Sequence, residues 1–102
     1  MKLNLYLVHQ GTVTGYDTFS AMVVAAATPE AAKRIFPSNY EFLPYTWSEE
    51  KNGWVLPPDH NDGEVEDVGS WPNHLEDLKV QYLGKAGSEI QAGLILASFH
   101  AG

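Results

Sequence analysis

Carboxylates and tryptophans share one stretch of this 102-residue chain. Residues 38–76 hold all three tryptophans, and residues 41–77 hold ten of the thirteen acidic side chains against one basic side chain, Lys51. That window carries 1 − 10 = −9 and the rest of the chain carries 5 − 3 = +2, which together give the net charge of −7. Carboxylates steer the encounter with a basic surface, and tryptophan side chains anchor protein interfaces. The pattern therefore predicts a surface that binds a basic partner protein.

Eight residues are candidates for this partner-binding surface. They are Trp47, Glu49, Glu50, Trp54, Glu64, Glu66, Asp67 and Trp71. A field of this sign repels phosphate backbones, so we expect no direct binding of nucleic acid. The alternative for the carboxylates is a solvated segment whose charge only aids solubility.

The chain lacks the residue patterns of common catalytic and metal sites. It has no cysteine, which excludes disulfides, thiolate catalysis and cysteine-ligated zinc. It also has no Gly-x-Ser-x-Gly motif, and Gly-Lys-Ala-Gly-Ser at residues 84–88 has the letters of a phosphate loop in the wrong order. We therefore predict no catalytic residue, no cofactor and no bound metal. A small metal-dependent or hydrolytic enzyme remains a minor alternative, because Asp59, His60 and Glu64 could hold a divalent ion weakly.

Four segments of the chain have the pattern of β-strands. Residues 2–9 alternate between two faces, residues 19–27 and 94–99 are almost continuously apolar, and residues 78–83 alternate again. No apolar run reaches the roughly 18 residues that would span a membrane, so we expect no membrane partner. Thr28, Pro29 and Glu30 are the residues that begin a helix, and Pro37 ends it, so a short helix is predicted over residues 28–36.

Residues 38–76 predict an irregular insert between the helix and the third strand. The segment is rich in turn residues, and an Asn-Gly pair at residues 52–53 predicts a small hairpin over residues 47–54. The predicted fold class is α+β: residues 1–102 form a single domain, with an antiparallel sheet of about four strands and one short helix. The order of elements is β-β-α-insert-β-β.

The predicted sheet is apolar on both faces, and a two-turn helix covers only part of one. Leaving several aliphatic side chains in water would cost roughly 1.5–3 kcal/mol each. We expect the aromatic-rich insert to fold back over the second face. A second copy of the chain, in a homodimer, is the alternative, and the two can coexist.

Several segments carry a resemblance to a known family. They are Tyr-Asp-Thr at residues 16–18, the run over residues 23–37, and residues 80–86 and 93–102, which end on Ala-Ser-Phe-His-Ala-Gly. In these segments the chain resembles a family of small bacteriophage and prophage proteins. Phe36 stands where a histidine is expected before the proline, which argues against a functional histidine there. The resemblance carries no established activity and implies a phage accessory protein at the host interface, located in the cytoplasm of the bacterial host.

Two function classes follow from these observations. The first is a non-enzymatic accessory protein that binds a basic host protein, as an inhibitor or a nucleic-acid mimic. The second is a self-associating structural or scaffolding module whose acidic residues only keep it in solution.

Overall fold

The structure is a computed structural model, which describes residues 2–37, 45–57 and 64–100, without the side chain of His100. These residues form six strands, one α-helix and one turn of 3₁₀-helix over Leu75–Asp77. The other elements are β1 (Asn4–Gln10), β2 (Thr18–Ala26), α1 (Pro29–Lys33), β3 (Thr46–Ser48), β4 (Gly53–Val55), β5 (Leu78–Lys85) and β6 (Gly93–His100).

Four of the strands form an antiparallel sheet in the order β5-β1-β2-β6, and β3 and β4 form a separate hairpin. This confirms the predicted α+β fold class. The Gln10 side chain organises the connection from β1 to β2, since its Oε1 accepts from the N–H of Thr12 at 2.7 Å and of Val13 at 2.8 Å. Its Nε2 donates to the Phe19 carbonyl at 2.8 Å, which ties the connection to the start of β2.

The helix begins where the sequence predicts and ends earlier. The Thr28 hydroxyl accepts from the Ala31 N–H at 3.1 Å, and Pro29 occupies the first turn, where its missing donor costs nothing. The helix ends at Lys33, whereas the prediction extended it to residue 36. Ala31 is exposed, while Ala32 and Phe36 are buried in the core.

The two faces of the sheet have different surroundings. The covered face presents Tyr6 and Val8 of β1, which pair with Val24 and Met22 of β2, and all four side chains are buried. Ala32 and Phe36 pack on this face, and so do Trp54, Val68 and Trp71 of the insert. The helix and the insert therefore contribute to one core on one side of the sheet.

The expectation that the insert folds over the second face is wrong for the residues that the structure describes. Successive side chains of a strand point to opposite faces, so the neighbours of the core residues form what we call the open face. Its members are Leu5, Leu7, His9, Ala21, Val23, Ala25, Lys79, Gln81, Leu96 and Ser98. The reason is that Trp54 and Trp71 pack in the same core cluster as Phe36, so the described part of the insert lies on the covered face.

Candidate functional site

The β3–β4 hairpin positions the first pair of candidate carboxylates. Trp47 pairs with Trp54 across the hairpin, and Glu49 and Glu50 lie in the turn between the strands. Asn52 closes this turn with a φ of 52°, a left-handed conformation that asparagine tolerates better than most residues. Both carboxylates are exposed, because the turn extends away from the core.

A second acidic segment, distant in sequence, lies along the same hairpin. Val65 forms a β-bridge with Val55, and the N–H of Glu66 donates to the Trp54 carbonyl at 2.9 Å. The approach requires a glycine at position 53, since a Cβ there would lie 2.6 Å from the Val65 Cγ1. Five carboxylates consequently border one hairpin, and we call this set the acidic surface. It consists of Glu49, Glu50, Glu64, Glu66 and Asp67.

Asp67 is held at the end of this segment by an asparagine. The Asn73 amide donates to Asp67 Oδ1 at 2.8 Å, and its Oδ1 accepts from the Val68 N–H at 2.9 Å. Val68 itself is buried in the core. The two hydrogen bonds fix the point where the chain passes from the acidic surface into the interior.

Two of the three candidate tryptophans do not lie at the surface. Trp54 and Trp71 are both 0% exposed, so a partner that docks on the folded chain cannot contact them. Trp47 is half-buried and packs edge-to-face on Trp54, with their ring centroids 5.2 Å apart. Of the three predicted tryptophans, Trp47 alone has a side chain that a partner could reach on the folded chain.

The two buried tryptophans differ in the hydrogen bonding of their indole N–H groups. Trp54 packs on Phe36 with a centroid distance of 5.1 Å, and its Nε1 donates to the Pro72 carbonyl at 2.9 Å. The Nε1 of Trp71 is buried without a hydrogen-bond partner in the described part of the chain. A sequence signal for burial exists at Trp54, which stands in the uncharged run Gly-Trp-Val-Leu-Pro, whereas Trp47 is followed by Ser-Glu-Glu.

An arginine from the helix end neutralises one carboxylate of the acidic surface. Arg34 Nε donates to Glu49 Oε1 in an ion pair, and Arg34 Nη1 donates to the Glu30 carbonyl at 2.6 Å. The hydrogen bond from Arg34 is the main cause that holds the pKa of Glu49 below its ordinary value of 4.5. The hairpin turn is thereby attached to α1 by charge as well as by the packing of Phe36 on Trp54.

The negative charge of the acidic surface affects the pKa of Tyr45. Burial raises the pKa of the Tyr45 hydroxyl above its ordinary value of 10.0, and the charge of Glu66 raises it further. Its ring packs on Phe36, with the centroids 4.9 Å apart. The surface thus has an aromatic lining formed by Tyr45 and Trp47.

The other polar clusters of the described residues do not form a catalytic arrangement. A groove of about 400 Å³ is lined by His9, Gln10, Glu76, Asp77 and Lys79, among others. Within residues 2–37, 45–57 and 64–100, no three His, Asp or Glu side chains are placed so that they could hold a metal ion. Asp59 and His60, on which the metal-dependent alternative rests, lie outside the described residues.

The described chain also has no helix that is both long and apolar enough to cross a membrane. Comparisons with protein-family models, curated proteins and solved structures find no match for this chain. The resemblance to small phage proteins therefore stays a prediction.

Proposed function

We propose that this chain is a non-enzymatic accessory protein of a phage or prophage that binds a basic host protein through its acidic surface. The observation that carries the proposal is the β-bridge from Val55 to Val65, with the Glu66–Trp54 hydrogen bond beside it. This pairing places Glu64, Glu66 and Asp67 beside the strand that leaves the turn of Glu49 and Glu50. A charge pattern that is dispersed in sequence becomes one negative surface.

The charge of the acidic surface and the position of Trp47 support a protein partner. Carboxylates grouped on one surface raise the association rate with a basic partner, and this effect weakens as salt increases. Half-buried Trp47 offers an aromatic contact at the border of these charges, as interface anchors commonly do. Binding at such a surface would block the partner, or imitate nucleic acid if the partner binds nucleic acid.

The experiment compares two variants with equal net charge. The first neutralises the acidic surface with Glu49→Gln, Glu50→Gln, Glu64→Gln, Glu66→Gln and Asp67→Asn. The matched control neutralises five other acids with Asp17→Asn, Glu30→Gln, Glu76→Gln, Asp77→Asn and Glu89→Gln. Each variant has a net charge of −7 + 5 = −2, so only the position of the charge differs.

Affinity capture from host lysate, followed by titration with the purified partner, measures the result. We expect the wild type and the control to capture the same basic protein, and the surface variant to bind it at least about tenfold more weakly, the equivalent of about 1.4 kcal/mol. Wild-type affinity should fall with added salt. Equal retention of the partner by both variants would falsify the proposal, and so would equal loss from both. Competition by duplex DNA for the captured protein then tests mimicry of nucleic acid.

A second candidate function is self-association as a structural or scaffolding module. The open face favours it, because half-buried Leu7 and Val23 and exposed Leu96 form an apolar patch, and contiguous apolar patches on a surface mark interaction sites. The two functions use opposite sides of the sheet and are compatible with each other.

A further inference from the structure

The open face is an apolar surface of the main sheet. Leu7 on β1 pairs with Val23 on β2, which places two half-buried aliphatic side chains at its centre, and half-buried Leu5 lies beside them, while Ala25 is fully buried. Leu96 of β6 pairs with Val23 and is 67% exposed, although it lies in the middle of an eight-residue strand. None of the ten open-face residues belongs to the core cluster of the described residues.

The open face also differs in charge from the rest of the molecule. None of its ten residues is acidic, and its one fixed charge is Lys79, which lies opposite His9 at the end near the β1–β2 connection. The chain as a whole has thirteen acids and a net charge of −7. Two copies therefore repel each other at most orientations, and the open face is where they can meet without opposing carboxylates.

The size of the face suits a modest dimer. Four strands about 4.8 Å apart and six paired residues of about 3.3 Å rise give roughly 400 Å² in plan for each copy. Two faces give about 800 Å² in plan before the relief of the side chains is counted, which is below the roughly 1,200–2,000 Å² of stable interfaces and typical of a weak association that dissociates on dilution. A face of this kind packs on its own copy around a twofold axis as a sandwich, with the sheets about 10 Å apart.

We infer that a second copy of this chain covers the open face, and that the protein forms a face-to-face homodimer. Leu7, Val23 and Leu96 lie at its centre, and Lys79 lies at its rim. The dimer directs both acidic surfaces outward, since the insert packs on the covered face of each copy. The inference rests on the second candidate function, self-association through the open face, and it is independent of host-protein binding because it needs no host partner.

Analytical ultracentrifugation of the purified chain tests this arrangement. We expect the wild type to sediment as a dimer at high micromolar concentration and to dissociate on dilution. Leu96→Glu adds a carboxylate to the open face at an exposed position and should weaken the dimer by at least about tenfold. Tyr82→Glu is the matched control, because Tyr82 is 56% exposed and pairs with Tyr6 on the covered face. This control should dimerise like the wild type.

A further variant separates face-to-face packing from edge-to-edge pairing of two β6 strands. Leu7→Lys alters the central strand β1 and leaves the β6 edge intact, so it should give a monomer only if the faces pack together. Gln81→Lys places the same charge at an exposed position of the open face on β5, away from the β6 edge, and it replaces Leu7→Lys if that variant loses its native circular dichroism. A wild type that stays monomeric overturns the inference. A dimer that survives the lysine substitution, or a Tyr82→Glu variant as weak as Leu96→Glu, overturns it as well.

Discussion

At the scale of single residues, the tryptophans have the clearest division of roles. Trp47 lies at the border of the acidic surface, while Trp54 and Trp71 fill the core beneath it. The indole of Trp54 satisfies the Pro72 carbonyl, and the indole of Trp71 has no hydrogen-bond partner among the described residues. The two buried side chains have the same size and burial and differ in hydrogen bonding, so they form a natural comparison.

Phenylalanine substitutions at the two buried positions should have unequal effects. Trp54→Phe leaves the buried Pro72 carbonyl without its donor, whereas Trp71→Phe removes an N–H that had no partner. We expect Trp54→Phe to lower the free energy of unfolding by about 1–3 kcal/mol more than Trp71→Phe does. Urea denaturation of both variants measures the difference. Equal losses, or a larger loss for Trp71→Phe, would contradict the role of the Trp54–Pro72 hydrogen bond.

The ion pair between Arg34 and Glu49 should make stability depend on pH. The pKa of Glu49 is lowered in the folded chain, so the pair stabilises the fold above the ordinary pKa of about 4.5 and this contribution is lost as the pH falls through the lowered pKa. Glu49→Gln should therefore lower the Tm at neutral pH and have no effect at strongly acidic pH. Thermal unfolding across that range is the measurement, with Glu50→Gln as the control. A Glu49→Gln effect that is the same at all pH values would show that charge is not its cause.

At the scale of elements, the acidic surface depends on how closely residues 64–67 approach β4. Gly53 permits this approach, because a side chain at that position would contact Val65 at 2.6 Å. The Glu66–Trp54 backbone hydrogen bond is formed one residue further along each segment. The positions of Glu64, Glu66 and Asp67 thus depend on the absence of a side chain at residue 53.

Gly53→Ala should separate the acidic segment from the hairpin. We expect a loss of about 1–3 kcal/mol in the free energy of unfolding, because an added methyl group in a closed contact forces the neighbours apart. The amide of Glu66 should also exchange its hydrogen faster. Gly69→Ala is the control, since a Cβ there would meet nothing within 4 Å. The double variant Gly53→Ala with Val65→Ala should recover much of the loss, and a failure to recover would place the strain elsewhere.

At the scale of the whole molecule, the two sides of the sheet have opposite characters. One side holds the core and the acidic surface, and the ten residues of the open face on the other side are mostly apolar and include no acid. The radius of gyration is 13.4 Å, close to the value of about 13 Å expected for a compact chain of this length. The molecule is therefore compact although its core lies on one side of the sheet. We attribute the open face to this one-sided arrangement.

A dimer that forms through the open face should couple stability to concentration. Partner binding stabilises the folded state by mass action, so the wild-type Tm should rise with protein concentration. The Tm of Leu96→Glu should stay constant over the same range. Differential scanning calorimetry at several concentrations provides the measurement, and a wild-type Tm that does not change would argue against association of the folded chain.

The local elements could be predicted from the sequence because their causes are local. Thr28 and Pro29 specify the start of α1, alternation specifies β1 and β5, and the Asn-Gly pair specifies the β3–β4 turn. These features depend on neighbours within a few residues. The end of α1 was less predictable, because Ala31 and Ile35 have helical spacing although the chain leaves the helix at Arg34.

The choice of face belongs to the tertiary structure alone. Strands β2 and β6 are apolar on both sides, so alternation cannot say which side faces the core. The burial of Trp54 and Trp71 decides which side of the sheet becomes the core. Trp54 packs on Phe36 and donates to the Pro72 carbonyl, and both of these residues are distant from Trp54 in sequence. The sequence by itself determined the charge, the elements and their order. Only the folded chain decided that helix and insert share one face, because long-range packing is not encoded in any local pattern.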